Sequence, residues 1–374
     1  MGLFDFFKNK SKKETQNTQP NVNVVVKCTS QPQLEEIPSL ESRIKNCVPS
    51  KKGLYPHEIL MLSYAHTFKQ ANNSFQGFWK YNYSVLDPQS VLNSLAKRGF
   101  IVLDDITGTI SKLKVNELKE LLKNANEKTT GKKEELISRL ISCYGSDTLE
   151  KMFPERYYKL TTLGEEEVTQ NEYVYYLHQH SYMSVWEMNR KLLAENPQHL
   201  SYRDIIWGDF NKQSLEFFKD YKFGLYRNVH LSMHDFLLEE KRFNSALSQL
   251  VEVASFDLNG LGNSEKTIIS GILSPKEIVE SKLVDFFFDD DNKEAILPPG
   301  IIKYFHNLKN ALQMSDSDFV NKIYEEFASV EIRNRIFTSD ECANILLSLM
   351  GIENRKLKNS YAIAEQRIKE LYIK

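Results

Sequence analysis

Lys132 and Lys133 stand where a helix is expected to begin. The first turn of a helix already carries partial positive charge from its unpaired N–H groups, so each cation placed there costs on the order of 0.3 kcal/mol. Local rules are most often broken at functional sites. Free N–H groups, two ammonium groups and a glycine, Gly131, that permits close approach together suit an anion, most simply a phosphate. Thr130 is the expected N-cap. Lys114 and Arg139 bring further positive charge to the same stretch. The chemistry implied is the electrostatic holding of phosphates.

Two short amphipathic segments position these residues. Val115, Leu118, Leu121 and Leu122 recur at helical spacing, and so do Leu136, Ile137, Leu140 and Ile141. Between Ile110 and Tyr144 the chain carries eight Lys or Arg against five Glu, a net charge of +3. The pattern L-K-x-L-L-K from Leu118, followed by T-G-K-K-x-E-L-x-x-R-L from Thr130, closely resembles the SAP motif, a small helical hairpin that binds DNA. The resemblance implies phosphate-dominated binding to duplex DNA, often at AT-rich sequence. Lys132, Lys133 and Arg139 match the basic positions of the motif, and Thr130 and Gly131 match its turn. The sequence departs from the motif at Asn126 and Glu127, where Gly-Leu is usual. Asn can take the left-handed C-cap conformation, but Glu127 removes an apolar anchor. The competing reading is a solvated basic hairpin that contacts only protein.

The flanking segments read as a small platform. Pro56 opens a helix with Ile59, Leu60, Leu62, Tyr64 and Phe68. The aromatic stretch Phe75 to Tyr83 reads as core and strand rather than as a base-stacking surface. Asp87-Pro88 is a cap followed by an N1 proline, Val91, Leu92 and Leu95 give an apolar stripe, and Gly99 ends that helix. Lys97 and Arg98 are explained by the helix C-terminus alone. Phe100 to Leu103 reads as a strand. This helix–Gly–strand order resembles the end of a winged-helix domain. The second wing strand of that fold typically reads Y-x-L-T-x-x-G, found here from Tyr158 to Gly164, and the glutamates at 165–167 open the next helix. The resemblance implies that the SAP-like hairpin is inserted in the wing. Loop tips tolerate insertions because the strand ends lie close together.

Downstream the sequence reads as helical. Residues 172–193 suggest helices broken near Ser181. Tyr226 to Leu258 follows a degenerate tetratricopeptide-like order, but one unit is too few for a solenoid. Ser274-Pro275 starts a further helix ahead of Asp289, Asp290 and Asp291, and helices are expected over about 301–313, 316–328 and 339–350. Tyr361 to Tyr372 is amphipathic. His178 and His180 cannot share a helical face. His230 and His234 could, but they lack the Glu of a zinc-protease motif and a third ligand, so no metal is expected.

The length of 374 residues suits two or three domains, and a formal net charge of −2 means that any affinity for polyanions must be local. The four cysteines, Cys28, Cys47, Cys143 and Cys342, have neither metal nor redox spacing, which fits a reducing cytoplasm. The opening MGLFDFFKNKSKK could touch an anionic interface, but a frayed terminus is the expectation and membrane contact through residues 1–13 is not. No P-loop, dinucleotide fingerprint or nucleophile elbow appears, and the Gly-x-Gly at 260–262 stands alone. The expected fold class is mainly α with a small β component. It comprises a flexible segment over 1–50, a winged-helix-like domain over 51–107 and 150–180 carrying a SAP-like domain over 108–146, and a helical domain over 181–374. The expected protein is cytoplasmic, non-enzymatic, of bacterial or phage type and without a cofactor. It holds duplex DNA with modest sequence specificity, and its C-terminal helices serve a protein partner or a second copy. The alternative is an adaptor whose basic hairpin meets RNA or an acidic protein.

Overall fold

The computed structural model describes residues 37–71, 73–195, 198–259, 261, 297–332, 336–353 and five positions between 363 and 370. The opening segment, Val22 to Val26, the helix expected after Ser274, the Asp289–Asp291 run and most of Tyr361 to Tyr372 lie outside them. The chain is mainly helical, with one two-stranded antiparallel sheet among the described residues.

The platform is built from α1 (Leu40–Ile44), α2 (Pro56–Tyr64), α3 (Phe78–Tyr81), α4 (Pro88–Lys97) and β1 (Ile101–Leu103). After an interposed lobe come β2 (Tyr158–Leu160), α9 (Thr162–Gln170), α10 (Tyr173–His180) and α11 (Val185–Leu193). Local chemistry sets α4. The Asp87 carboxylate accepts from the Ser90 N–H at 3.1 Å, Pro88 supplies a preset φ, and Leu92 and Leu95 are buried. Gly99 at φ 81° ends it in a Schellman turn, with the Phe100 N–H on the Leu95 carbonyl at 3.0 Å. Arg98 does more than complement the helix end, because its guanidinium meets Glu58 of α2 at 2.6 Å.

The middle of the aromatic stretch is a short helix, and none of it is strand. Trp79 and Tyr83 are four apart and both buried, and Phe78 and Trp79 belong to the short helix α3. In a strand Trp79, Tyr81 and Tyr83 would share one face, but Tyr81 is 61% exposed, so the burial does not follow strand alternation.

β1 and β2 pair antiparallel, with Ile101 opposite Leu160, Val102 opposite Lys159 and Leu103 opposite Tyr158. The Asp104 N–H reaches the Tyr157 carbonyl at 2.7 Å, and Lys159 Nζ meets the Asp104 carboxylate at 2.9 Å. Residues 105–156 therefore leave and re-enter the platform at neighbouring points. Gly164 packs α9 onto β1: a Cβ there would lie 2.2 Å from the Phe100 carbonyl oxygen.

The remaining helices are α12 (Tyr202–Lys219), α13 (Phe223–Glu239), α14 (Phe243–Leu258), α15 (Pro299–Leu312), α16 (Asp316–Ser329) and α17 (Ser339–Leu349). The expected helical hairpin over 226–258 is α13 and α14, held by Arg227, which grips the Asp257 carboxylate with two N–H groups at 2.9 and 2.7 Å. The turns before α13 and α14 repeat one geometry twenty residues apart. Tyr221 and Lys241 sit at φ 56° and 58°, and the N–H groups of Lys222 and Arg242 each return 2.9 Å to Phe217 and Leu237.

The packing does not divide at residue 181. Ser181, at φ 56°, does separate α10 from α11, but Val185, Trp186, Met188, Ile206 and Phe210 all pack into the platform core. The seam runs inside α13: Phe236 belongs to the platform core and Leu237 to the C-terminal core. Neighbouring residues on a helix point about 100° apart, so one helix can serve both.

The histidines serve packing and hydrogen bonding. His178 meets the Tyr83 hydroxyl at 3.1 Å, His230 meets the Ser214 hydroxyl at 3.0 Å, and buried His234 donates from Nδ1 to the Ala246 carbonyl at 3.0 Å. Among the described residues no three potential metal ligands gather. No helix among them is long and apolar enough to cross a membrane.

Candidate nucleic-acid interface

The lobe between the strands comprises α5 (Ile106–Ser111), α6 (Val115–Asn124), α7 (Lys133–Tyr144) and α8 (Ser146–Met152). It has its own small core of Ile106, Ile110, Leu118, Leu122, Leu136, Leu140 and Leu149. The stripes on α6 and α7 supply four of these residues at i, i+4 spacing, while α5 and α8 close the core from outside the two-helix motif. Tyr144 ties the hairpin shut by donating its hydroxyl to the Leu121 carbonyl at 3.0 Å.

The departure at Asn126 leaves the turn intact. Asn126 takes the left-handed conformation at φ 58°. The Glu127 N–H bonds to the Leu122 carbonyl at 2.8 Å and the Asn126 N–H to Lys123 at 3.0 Å, a complete Schellman motif. The Glu127 side chain is exposed, so the turn holds without the apolar anchor usual at that position.

The start of α7 differs from expectation in two ways. The N-cap is Lys132, not Thr130. Its main-chain N–H is met by the Glu135 carboxylate at 3.3 Å. Gly131, at φ +134°, makes room for that carboxylate, since a Cβ would lie 2.4 Å from Glu135 Oε2. The close approach that Gly131 permits is therefore made by the chain's own acid. A phosphate at this end would be held by ammonium groups more than by free amides.

The same arrangement opens α6. Lys114 is its N-cap, and its N–H reaches the Glu117 carboxylate at 2.5 Å. Both helices thus begin with Lys-x-x-Glu, a spacing the sequence displays and the motif reading did not use. A glutamate three residues into a helix can satisfy the N-cap amide, as in the reciprocal half of a capping box. The acid settles the positive helix end, and the lysine side chain is left to project outward.

Arg139 is half-buried and engages the inter-helix loop through one guanidinium nitrogen. Its Nη1 donates to the carbonyls of Lys128 and, at 3.2 Å, Thr130, which pins the inter-helix loop onto α7. Thr130 and Gly131 shape that loop. Lys114 and Lys132 are exposed and Lys133 is half-buried.

None of the eight cations between Ile110 and Tyr144 makes an ion pair with another described residue, whereas cations flanking the lobe do. Lys69 meets Glu155 at 2.8 Å, Arg156 meets Glu150 at 3.2 Å and Lys159 meets Asp104 at 2.9 Å. Lys112, Lys119, Lys123 and Lys128 are exposed as well and enlarge the candidate surface beyond the residues first singled out. Their signal in the sequence was the net charge of the segment, not a motif position.

No curated protein and no solved structure matches the chain. The family model that matches is the SAP domain, over residues 109–142, which begins in α5 and ends in α7. Residues 109–142 are a SAP domain, a DNA-binding motif, carried here within a four-helix lobe between two paired strands.

Proposed function

We propose that this chain holds the backbone of duplex DNA through the lysine-rich surface of its SAP lobe, with modest sequence specificity. The observation that carries this reading is the set of eight cations on one small lobe without ion pairs among the described residues, where many other cations are paired. Lys114, Lys132 and Lys133 are the principal contacts, and Arg139, Thr130 and Gly131 hold the loop that presents them. No set of side chains suited to reading base edges is apparent, which supports backbone rather than sequence recognition.

The rest of the chain acts as a non-enzymatic platform in a cytoplasmic protein of bacterial or phage type. Its α2, α4, β1 and β2 are read as winged-helix-like, and the tetratricopeptide-like α13–α14 hairpin and the helices after it serve a protein partner or a second copy. The alternative remains an adaptor whose lobe meets RNA or an acidic protein.

Filter binding of duplex DNA at two salt concentrations tests the proposal. Lys132→Glu with Lys133→Glu should weaken binding at low salt by at least tenfold. Replacing each contacting lysine by alanine should lower the slope of log affinity on log salt by about 0.9. Equal affinity of the double variant and the parent would refute the site. Retention of single-stranded RNA but not duplex DNA would favour the alternative.

A further inference from the structure

A concave pocket of about 990 Å³ lies away from the SAP lobe, at the seam between the two larger cores. Tyr182 and Phe210 reach it from the platform side, Asp235 and Glu239 from α13, and Tyr304 from α15. Clefts at such seams are common ligand sites, and this volume is that of a small-molecule or side-chain pocket.

Its two carboxylates are not equivalent. Glu239 is satisfied by its own chain: His180 Nε2 lies 2.7 Å from one oxygen, and the Tyr176 hydroxyl donates to the other at 2.7 Å. Asp235 has no hydrogen-bond donor among the described residues. The polar atom nearest to it in any ion-pair contact is Nε2 of fully buried His234, at 4.0 Å. His234 donates from Nδ1 to the Ala246 carbonyl, and burial keeps the ring neutral, so Nε2 presents a lone pair. That nitrogen has no hydrogen-bond partner among the described residues. The Asp235 carboxylate, 36% exposed and backed by a lone pair and a second carboxylate, has no direct partner among the described residues. Burial and Glu239 accordingly push its pKa up to about 6, with His180 opposing. At neutral pH the group is still mostly ionised.

Aromatic walls around a carboxylate with no direct partner complement a cation, which gains from ring faces as well as from the charge. The pocket also has apolar lining, from Phe217, Leu225 and Val229. We propose that the pocket binds an ammonium or guanidinium group carried on an apolar stem, with Asp235 as its counter-ion and Tyr182, Phe210 and Tyr304 as its walls. The inference does not rest on the DNA-binding reading.

Calorimetric titration of the full chain tests it with agmatine, with uncharged n-pentanol and with a capped Leu-Arg-Leu tripeptide. Agmatine should bind with a dissociation constant of about 1 mM or tighter. Asp235→Asn, which removes no internal hydrogen bond and should keep the parent's circular dichroism, should weaken it at least tenfold. Pentanol should not bind. A tripeptide tighter than agmatine, its advantage lost in Leu225→Ser, identifies the cation as a side chain of a peptide partner; equal affinities identify a free amine. Absence of saturable binding of both cations up to about 10 mM overturns the proposal, as does unchanged affinity in Asp235→Asn. Duplex binding, measured on the same samples, is independent of either outcome.

Discussion

Gly131 and Glu135 occupy one space: the Glu135 carboxylate fills the position that a side chain on Gly131 would need, its Oε2 only 2.4 Å from where a Cβ would lie. The acid thereby closes the start of α7 and leaves the ammonium groups of Lys132 and Lys133 to the solvent side. Gly131→Ala must displace the carboxylate, and even then φ +134° remains strained for a residue with a Cβ. It should destabilise the lobe by about 1–2 kcal/mol. Hydrogen exchange should show faster opening of α6 and α7 with the platform unchanged. Unaltered protection in the lobe would remove the capping role assigned to this pair.

The strands that carry the lobe meet at its base, where the Asp104 N–H bonds to the Tyr157 carbonyl. Replacing residues 105–156 by Asn-Gly should convert β1 and β2 into a tight hairpin. The excised part takes its own core with it, and the lost Lys69–Glu155 pair is an exposed one worth at most about 1 kcal/mol. The shortened chain should unfold near the parent's denaturant midpoint and lose duplex binding. A chain that no longer folds would show that the platform depends on the lobe.

His57 gives the platform a pH response. It is buried, its Nδ1 has no partner, and burial pulls its pKa down to about 4. The unfolded chain takes up this proton near pH 6.5 and the folded chain only near 4. The neutral imidazole is therefore fully accommodated above pH 6.5, and stability falls as pH drops from 6.5 towards 4, by about 3 kcal/mol for this one group. His230, also lowered to about 4 by burial, acts in the same direction, while Asp235, raised to about 6, acts against both. Denaturant unfolding of His57→Gln at pH 7 and pH 4.5 should show a smaller loss than the parent. Equal losses in the two proteins would remove His57 from the account.

Legibility in the sequence followed the range of the interaction. Asp87-Pro88 and Gly99 announce α4 because cap, proline and left-handed stop all act within a few residues. Asn126 was readable as a left-handed turn for the same reason. Thr130 misled because its type suits a cap, whereas the cap that forms is the Lys132 amide bonded to Glu135. Arg139 was read from motif position as a phosphate contact, and only the fold shows its hydrogen bonds to the loop carbonyls. The stretch from Phe75 to Tyr83 suited a strand by composition, but its burial spacing is helical. The platform's reach past residue 181 depends on Trp186 meeting His57 and Tyr83, each more than a hundred residues earlier. Asp235 and Tyr304, from different helices, form a pocket that no local pattern announces.

Phe236 and Leu237, adjacent on one rod, look into different interiors. Neither larger half can shed α13 without laying open the oily side of the other, so their fates are tied. The lobe, with a separate interior and two neighbouring attachment points, is spared that bond. It can loosen to meet a ligand while the body beneath it stays shut.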